Sequence, residues 1–245
     1  MKNKENKGMV CFAHRGASGH EPENTLRAFR TALNLGAPWI EIDIQAVEGE
    51  LVVIHDDTLG RTTSGKGYVS GQNLEYLRAL DAGKGERIPL LREVLDLISK
   101  AGAGINIELK GRDTAVLAVS LIKEYVGKGC LTYDQIIVSS FSFEELKKAR
   151  ELSPELKIGL LYDKLTPDYY QTAEALCAFS LHLNFRNIDQ KLVEEAHSLG
   201  LLIFAFTVNR PGDIERMRRL GVDGIFTDYP ELMTNGLKKQ TLEKG

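Results

Sequence analysis

Trp39-Ile40-Glu41-Ile42-Asp43-Ile44-Gln45 is the stretch of sequence that decides the fold. Isoleucines alternate in it with acidic residues, and side chains two apart on a strand share one face. We therefore expect the isoleucines to face a layer of helices and the carboxylates of Glu41 and Asp43 to face the other way. Such a strand belongs to a parallel sheet whose polar face lines a pocket.

The rest of the chain repeats a strand followed by a helix. The predicted strands are Met9–Ala13, Trp39–Gln45, Ile105–Leu109, Gln135–Ser140, Lys157–Leu161, Ala178–Asn184, Leu201–Thr207 and Asp223–Thr227. The predicted helices are Thr25–Leu35, Leu90–Lys100, Asp113–Tyr125, Phe143–Glu151, Pro167–Ala175, Gln190–Leu199, Gly212–Leu220 and Tyr229–Asn235. Eight such units in 245 residues predict an α/β protein with a (β/α)8 TIM barrel.

Two segments depart from this repeat. Leu51–His55 reads as an extra strand, joined to the second predicted strand by a hairpin turn at residues 48–50. Residues 56–88 are too long for an ordinary connection and hold too few apolar side chains for a separate core. We interpret residues 1–245 as one catalytic domain, with residues 56–88 as a small insertion over the active-site mouth.

Composition argues against several classes of protein. The net charge is −3 without a basic block, which argues against a nucleic-acid binder. Three widely spaced cysteines indicate neither a disulfide framework nor a zinc site. The first residues lack the apolar core of a signal peptide, and no apolar run reaches the ~18 residues of a membrane span. We expect a cytoplasmic protein without stable membrane association.

A candidate metal site follows from strand periodicity. Glu41 and Asp43 share a face, Glu108 lies on the next barrel strand, and three carboxylates at one point would repel unless a cation joined them. Oxygen ligands favour Mg²⁺, Ca²⁺ or Mn²⁺ over zinc. A second interpretation stays open at this point, in which the three carboxylates form ion pairs with Arg15 and Lys110.

Two histidines are expected at the same mouth. His14 ends the first predicted strand. If the hairpin turn occupies residues 48–50, His55 lies opposite Asp43 and faces the same side, whereas a register shift of one residue would turn it away. A lone histidine is usually structural, but two histidines beside three carboxylates and two cations are difficult to explain by packing.

These side-chain types are the ones that cleavage of a phosphodiester requires. A metal polarises the phosphoryl oxygen, Arg15 and Lys110 neutralise phosphate charge, and two histidines transfer protons. Each proton transfer accelerates a reaction about 10²–10⁴-fold, so two reach at most about 10⁸. Phosphate-ester hydrolysis is among the slowest uncatalysed reactions, so metal and cationic stabilisation must supply a large remainder.

The ordered motifs along the chain resemble those of the glycerophosphodiester phosphodiesterases. The resemblance extends over about residues 10–232, and the set is far more specific than any single motif. The motifs are His14-Arg15-Gly16, Glu23-Asn24-Thr25, Glu41-Ile42-Asp43, His55-Asp56-Asp57-Thr58, Arg61-Thr62-Thr63, Ile107-Glu108-Leu109-Lys110, Thr207-Val208-Asn209 and Gly224-Ile225-Phe226-Thr227-Asp228.

The resemblance implies a barrel that hydrolyses small glycerophosphodiesters, such as glycerophosphocholine, to glycerol 3-phosphate and an alcohol. It implies one divalent cation, Mg²⁺ or Ca²⁺, and a general acid–base pair, with Arg15 and Lys110 near the phosphate. The implied cation ligands are Glu41, Asp43 and Glu108, and the implied acid–base pair is His14 and His55. We assign His14 as the base and His55 as the acid, and we expect a monomer or homodimer.

Three alternatives are weighed against this interpretation. A related barrel phospholipase acting on intact lipid would want an apolar loop or basic face for docking. A non-catalytic phosphate- or sugar-binding barrel would be expected to lose a metal ligand or a histidine, and this chain loses none. A zinc amidohydrolase wants a His-x-His pair, but Gly16 follows His14 at that spacing. The family often has Trp where Phe206 stands, which affects the head-group side of the pocket.

Overall fold

The computed structural model describes residues 8–234, which form nine strands in one sheet. The strands are β1 (Val10–Ala13), β2 (Trp39–Val47), β3 (Glu50–Val53), β4 (Gly104–Leu109), β5 (Ile136–Ser140), β6 (Lys157–Tyr162), β7 (Ser180–Asn184), β8 (Leu202–Phe206) and β9 (Gly224–Thr227). All except β3 pair in parallel, and β1 pairs with both β2 and β9, so eight strands close into a ring. The predicted (β/α)8 barrel is confirmed.

Helices follow the barrel strands around the outside of the ring, and one short helix lies in the insertion at residues 56–88. They are α1 (Leu26–Asn34), α2 (Leu74–Ala79), α3 (Leu91–Ala101), α4 (Thr114–Gly127), α5 (Phe143–Leu152), α6 (Tyr169–Ala175), α7 (Gln190–Ser198) and α8 (Pro211–Leu220). The last predicted helix is helical over residues 231–234, and its final residue, Asn235, lies outside the described residues. Across residues 8–234, every helix is too short or too polar to cross a bilayer.

The alternation in β2 works as its sequence predicts. Ile40, Ile42 and Ile44 are fully buried in the main core between the strands and the helices. Burying each of these side chains contributes about 1.5–3 kcal/mol relative to leaving it in water. The opposite face of β2 is thereby directed into the barrel, which is why Glu41 and Asp43 lie inside it.

The lower half of the barrel interior is filled by aromatic rings. Phe12 lies at its centre, with ring centroids 4.7 Å from Phe226, 4.8 Å from Phe204 and 5.5 Å from Trp39. Trp39 is at the start of β2, away from the mouth, and is only partly buried. A cavity of about 810 Å³ opens at this end of the barrel.

The hairpin register differs from the predicted one. Val47 pairs with Glu50, so the loop has two residues rather than three, and the expected pairing of residue 43 with residue 55 is wrong. Glu48 and Gly49 have φ values of 50° and 80°, the left-handed conformation that a tight two-residue hairpin loop requires at both positions. β3 ends at Val53, so strand alternation does not set the direction of His55.

The insertion, residues 56–88, folds over the hairpin. It contains α2 and a 3₁₀ turn at Val69–Gly71, and its apolar side chains share one cluster with those of the hairpin. The fully buried members of this cluster are Val52, Leu59, Val69 and Leu77. The assignment of residues 1–245 to a single domain stays a prediction.

Candidate active site

Three carboxylates meet inside the barrel near the carboxyl ends of its strands. Asp43 on β2 is the register partner of Glu108 on β4, and Glu41 lies one layer below on the same face of β2. One oxygen from each of the three carboxylates lies within 4.8 Å of the others. The convergence expected from the sequence is therefore present in the structure.

The electrostatics of this acidic cluster, Glu41, Asp43 and Glu108, are unfavourable without a cation. Burial and the charge of Asp43 raise the pKa of Glu108 to about 7, although Lys110 opposes them. Burial and the charges of Asp43 and Glu108 raise the pKa of Glu41 well above its usual range. A group of buried oxygens whose charges repel fits a hard divalent cation such as Mg²⁺ or Ca²⁺.

The two cationic side chains predicted for the site, Arg15 and Lys110, contact the acidic cluster. Arg15 Nε lies 3.3 Å from Asp43 Oδ2, and the Arg15 backbone N–H donates to Glu41 Oε2 at 2.8 Å. Lys110 Nζ lies 3.0 Å from Glu108 Oε1. Ion pairing and cation binding are therefore compatible here, because two side-chain cations leave one of three carboxylate charges unbalanced.

His14 is held at its Nδ1 atom. That atom lies 2.7 Å from Asp228 Oδ1, and the other oxygen of Asp228 accepts a hydrogen bond from Asn209 Nδ2 at 2.5 Å. The hydroxyl of Ser18 donates to the His14 carbonyl and also lies 3.0 Å from Asp228 Oδ1. Although burial opposes it, the hydrogen bond with His14 helps to lower the pKa of Asp228. The anchored Nδ1 leaves Nε2 for chemistry.

His55 is held in the same manner from a different element. Its Nδ1 lies 2.6 Å from Asp56 Oδ1, and Arg61 donates to both oxygens of Asp56, at 2.5 and 2.9 Å. Burial lowers the pKa of His55, while the charge of Asp43 opposes that shift. The hydrogen bond from Arg61 lowers the pKa of Asp56, so Asp56 is an anion across the neutral pH range.

Glu23 and Asn24 contact the residues that form the active-site mouth. Asn24 Nδ2 donates to Asp43 Oδ2 at 2.9 Å, and the N-cap of α1 is the next residue, Thr25. Glu23 accepts from Arg15 at 2.8 Å and from Arg61 at 2.7 and 2.8 Å. Arg61 therefore connects the carboxylate behind His55 with the carboxylate behind Arg15.

A cavity of about 150 Å³ collects these groups. Its charged side is formed by His14, Arg15, Glu41, His55, Glu108 and Lys110. Its other side is apolar, with Phe141, Leu161 and Phe206, and the rings of Phe141 and Phe206 meet edge to face at 6.3 Å. The larger cavity at the opposite end of the barrel is lined largely by aromatic and aliphatic side chains, so the smaller one is the candidate active site.

Sequence reasoning named Asp56 and Asp228 within motifs but missed that they anchor the two histidines. It missed His182 on β7 altogether, which lies fully buried in the cavity lining. Asp56 follows His55 directly, and Asp228 follows the last strand, so both carried a positional signal. His182 carried the period-two spacing of an inward-facing strand residue.

Comparisons with known proteins find relatives that match nearly the whole chain. A model of the "Glycerophosphoryl diester phosphodiesterase family" matches residues 14–232. The chain is 42% identical to a glycerophosphodiester phosphodiesterase of Caldanaerobacter subterraneus subsp. tengcongensis, over 94% of this chain and 98% of that protein. A glycerophosphodiester phosphodiesterase of Bacillus subtilis is 36% identical, over 91% of this chain and 85% of that protein.

One solved structure has the same fold as this chain over almost its whole length. The phosphodiesterase of Oleispira antarctica, described in complex with the product sn-glycerol-3-phosphate, superposes with a TM-score of 0.86 at 32% identity. The match covers 94% of this chain and 96% of that one.

Proposed function

The chain belongs to the glycerophosphoryl diester phosphodiesterase family, a family of phosphoric diester hydrolases, and we propose that it hydrolyses small glycerophosphodiesters with one divalent cation and two histidines. The observation that carries this proposal is the pair of carboxylate-anchored histidines, His14 and His55, in one small cavity with the acidic cluster. Substrates of this class include glycerophosphocholine and glycerophosphoethanolamine. The products are glycerol 3-phosphate, the compound named for the Oleispira relative, and an alcohol.

Glu41, Asp43 and Glu108 are the residues that would hold the cation, with Mg²⁺ and Ca²⁺ as the two candidates. When bound, such a cation polarises a phosphoryl oxygen and offsets its negative charge. Arg15 and Lys110 border the same cavity, and we assign them to the remaining phosphate charge. Both are already oriented by carboxylates, which limits the side-chain entropy lost when substrate binds.

The two histidines divide the proton transfers. One Nε2 accepts the proton of the attacking hydroxyl, and the other donates a proton to the departing alkoxide. Asp228 and Asp56 accept from Nδ1 of each ring, which orients the ring and keeps the proton on Nδ1. We assign His14 as base and His55 as acid from the sequence, and the lowered pKa of His55 favours the opposite order because it favours a neutral ring.

The apolar side of the cavity accommodates the alcohol half of the substrate. Phe141 and Phe206 lie across from the carboxylates and present ring faces and edges to the opening. Aromatic rings attract the quaternary ammonium of choline, which favours glycerophosphocholine among the candidate substrates.

An enzyme acting on intact lipid is the second candidate. The insertion has one strongly exposed ring, Tyr68, and a second, Tyr76, that is partly exposed. Sedimentation with phospholipid vesicles separates the two candidates, because a head-group enzyme stays in the supernatant. Recovery in the pellet, with activity on phosphatidylcholine, would favour the lipid enzyme.

Chelation tests the proposed function directly. We expect glycerophosphocholine turnover, measured by release of glycerol 3-phosphate, to fall to background in EDTA and to return with Mg²⁺ or Ca²⁺. Turnover that survives exhaustive chelation would remove the cation from the mechanism. The absence of turnover with any glycerophosphodiester, in protein that binds the cation, would favour a non-catalytic barrel.

A further inference from the structure

Two buried polar atoms lie without partners at the floor of the active-site cavity. They are Asn106 Oδ1 on β4 and His182 Nδ1 on β7, and neither has a hydrogen-bond partner among residues 8–234. Both side chains line the 150 Å³ cavity, and Asn106 is 1% exposed and His182 is fully buried. An unpaired buried polar atom costs about 1–3 kcal/mol in general, so two such atoms in the lining of one small cavity indicate that something polar binds there.

The surrounding barrel interior is shaped around the His182 ring. Gly159 on the neighbouring strand leaves the space for it, because a Cβ atom there would lie 2.5 Å from His182 Nε2. The rings of Phe204 and Phe226 pack at 5.3 and 5.1 Å from the imidazole. Burial lowers the pKa of His182 to about 3, so the ring is neutral in the working pH range.

The hydrogen bonds around the floor determine which atoms donate. Ser180 Oγ lies 2.9 Å from His182 Nε2, and no other described residue accepts the Ser180 hydroxyl proton. Ser180 therefore donates to Nε2, which leaves the proton of the neutral ring on Nδ1. Asn106 Nδ2 donates to Ser139 Oγ at 3.0 Å, which leaves the Asn106 carbonyl as a free acceptor.

We propose that Asn106 and His182 bind one hydroxyl group of the substrate, the terminal hydroxyl of its glycerol half. A hydroxyl both accepts, here from His182 Nδ1–H, and donates, here to Asn106 Oδ1. This assignment rests on the proposed function and deepens it by defining which end of the diester enters the barrel.

The depth of the floor agrees with this ligand. Asn106 precedes Glu108 by two residues on β4, which places it about 6.6 Å below that carboxylate along the strand. The terminal hydroxyl of a glycerol phosphate is separated from phosphorus by one oxygen and three carbons, a chain of comparable reach. The phosphate can therefore lie beside Glu108 while the hydroxyl reaches the floor.

Binding measurements test the proposal without relying on turnover. With the Mg²⁺- or Ca²⁺-loaded protein, calorimetry compares sn-glycerol 3-phosphate with propane-1,2-diol 1-phosphate, which lacks the terminal hydroxyl. We expect the wild-type protein to bind glycerol 3-phosphate about 10- to 100-fold more tightly, because the analogue leaves both floor atoms unpaired. His182→Phe and Asn106→Leu should each abolish most of that difference.

The controls separate a floor contact from general damage to the barrel. Ile137→Val changes a buried apolar neighbour on the next strand and should keep the wild-type preference. His182→Gln keeps a donor, so partial recovery of the preference is expected even if His182→Phe folds poorly.

Three results would overturn the proposal. If the wild-type protein bound glycerol 3-phosphate and propane-1,2-diol 1-phosphate with equal affinity, the floor would hold a bound water instead of a substrate hydroxyl. An unchanged preference in His182→Phe and Asn106→Leu would place the hydroxyl elsewhere. Weaker Mg²⁺ or Ca²⁺ affinity in Asn106→Leu, with the preference intact, would assign the amide to the cation. A preference that behaves as expected in a protein without turnover would leave the floor assignment standing and overturn the proposed function alone.

Discussion

The two ends of the barrel interior are built from opposite kinds of side chain. At the base, Phe12 contacts three aromatic rings and belongs to an apolar cluster. At the mouth, Glu41 and Glu108 are buried beside Asp43, and burial together with mutual repulsion raises the pKa of both. The base therefore stabilises the fold, whereas the mouth uses part of that stability to hold charges close together. Substitutions at the two ends should separate activity from stability.

The largest effect is expected at the mouth, in activity alone. His14→Ala and His55→Ala should each lower kcat/KM for glycerophosphocholine by about 10²–10⁴, because each removes one proton transfer. The melting temperature should change little, since both rings are partly exposed at the cavity. Either variant with near-normal turnover would contradict the acid–base assignment.

A glycerophosphodiester of p-nitrophenol sharpens the same experiment. Its leaving group departs without a proton, so the variant that lacks the acid should lose much less activity than the variant that lacks the base. Recovery in His55→Ala would support the order assigned from the sequence. Recovery in His14→Ala would reverse it, in agreement with the lowered pKa of His55.

The next effect is expected at the base, in stability alone. Phe12→Ala removes the buried central ring of the aromatic cluster and should cost about 3–5 kcal/mol of unfolding free energy. Urea denaturation measures that loss, and turnover per folded molecule well below the transition should match the wild type. Loss of turnover in the folded protein would show that the two ends are coupled through Phe226, which touches both.

A pH experiment tests the electrostatic difference between the ends. The pKa of Glu108 is about 7 in the folded protein, whereas its ordinary value is 4.5. Between pH 4.5 and pH 7, the folded protein therefore binds a proton at Glu108 that the unfolded chain does not bind. The metal-free protein in chelator should therefore be most stable near pH 4.5, and its free energy of unfolding should fall by up to about 3 kcal/mol as the pH rises through 7. Thermal unfolding in EDTA between pH 5 and pH 8 measures this trend.

Glu108→Gln is the matched variant for that trend. It keeps the shape and removes the charge, so the loss of stability above pH 5 should become smaller. Added Mg²⁺ or Ca²⁺ should restore the stability of the wild type at pH 8 but not raise that of the variant to the same extent. A chelated wild-type protein that is more stable at pH 8 than at pH 5 would contradict the raised pKa.

The sequence predicts the parts of the site that depend on strand periodicity. Glu41, Asp43 and Glu108 converge because a period of two and a fixed strand order leave no other direction for them. Features set by distant parts of the chain could not be predicted in this way. Asp228 meets His14 across 214 residues only because β9 closes the ring against β1.

Two further features of the structure, the hairpin register and the position of the His182 ring, depend on local backbone conformation and packing that the sequence pattern does not show. The hairpin register depended on whether Glu48 could adopt a left-handed conformation, which is uncommon for a residue other than glycine. The position of the His182 ring depended on Gly159, a residue on another strand that the pattern of β7 does not contain. The roles of the predicted site residues stay predictions until the variants are measured.

The smallest effect is expected one step away from the mouth, at Arg61. This side chain donates to both oxygens of Asp56 and to both oxygens of Glu23, so it aligns the groups behind His55 and Arg15. Arg61→Met should lower kcat/KM about tenfold, the low end of what the loss of an orienting contact costs. Its effect on stability should be small, because the side chain is half exposed and exposed ion pairs contribute about 0–1 kcal/mol.

Arg27→Met is the matched control for that substitution. Arg27 is equally exposed and also donates to a carboxylate, that of Glu21, but this pair does not contact either histidine. Its kcat/KM should equal that of the wild type, so a deficit confined to Arg61→Met reports on alignment of the site. Equal deficits in both variants would instead indicate a general effect of surface charge on the approach of an anionic substrate, which added salt would reduce.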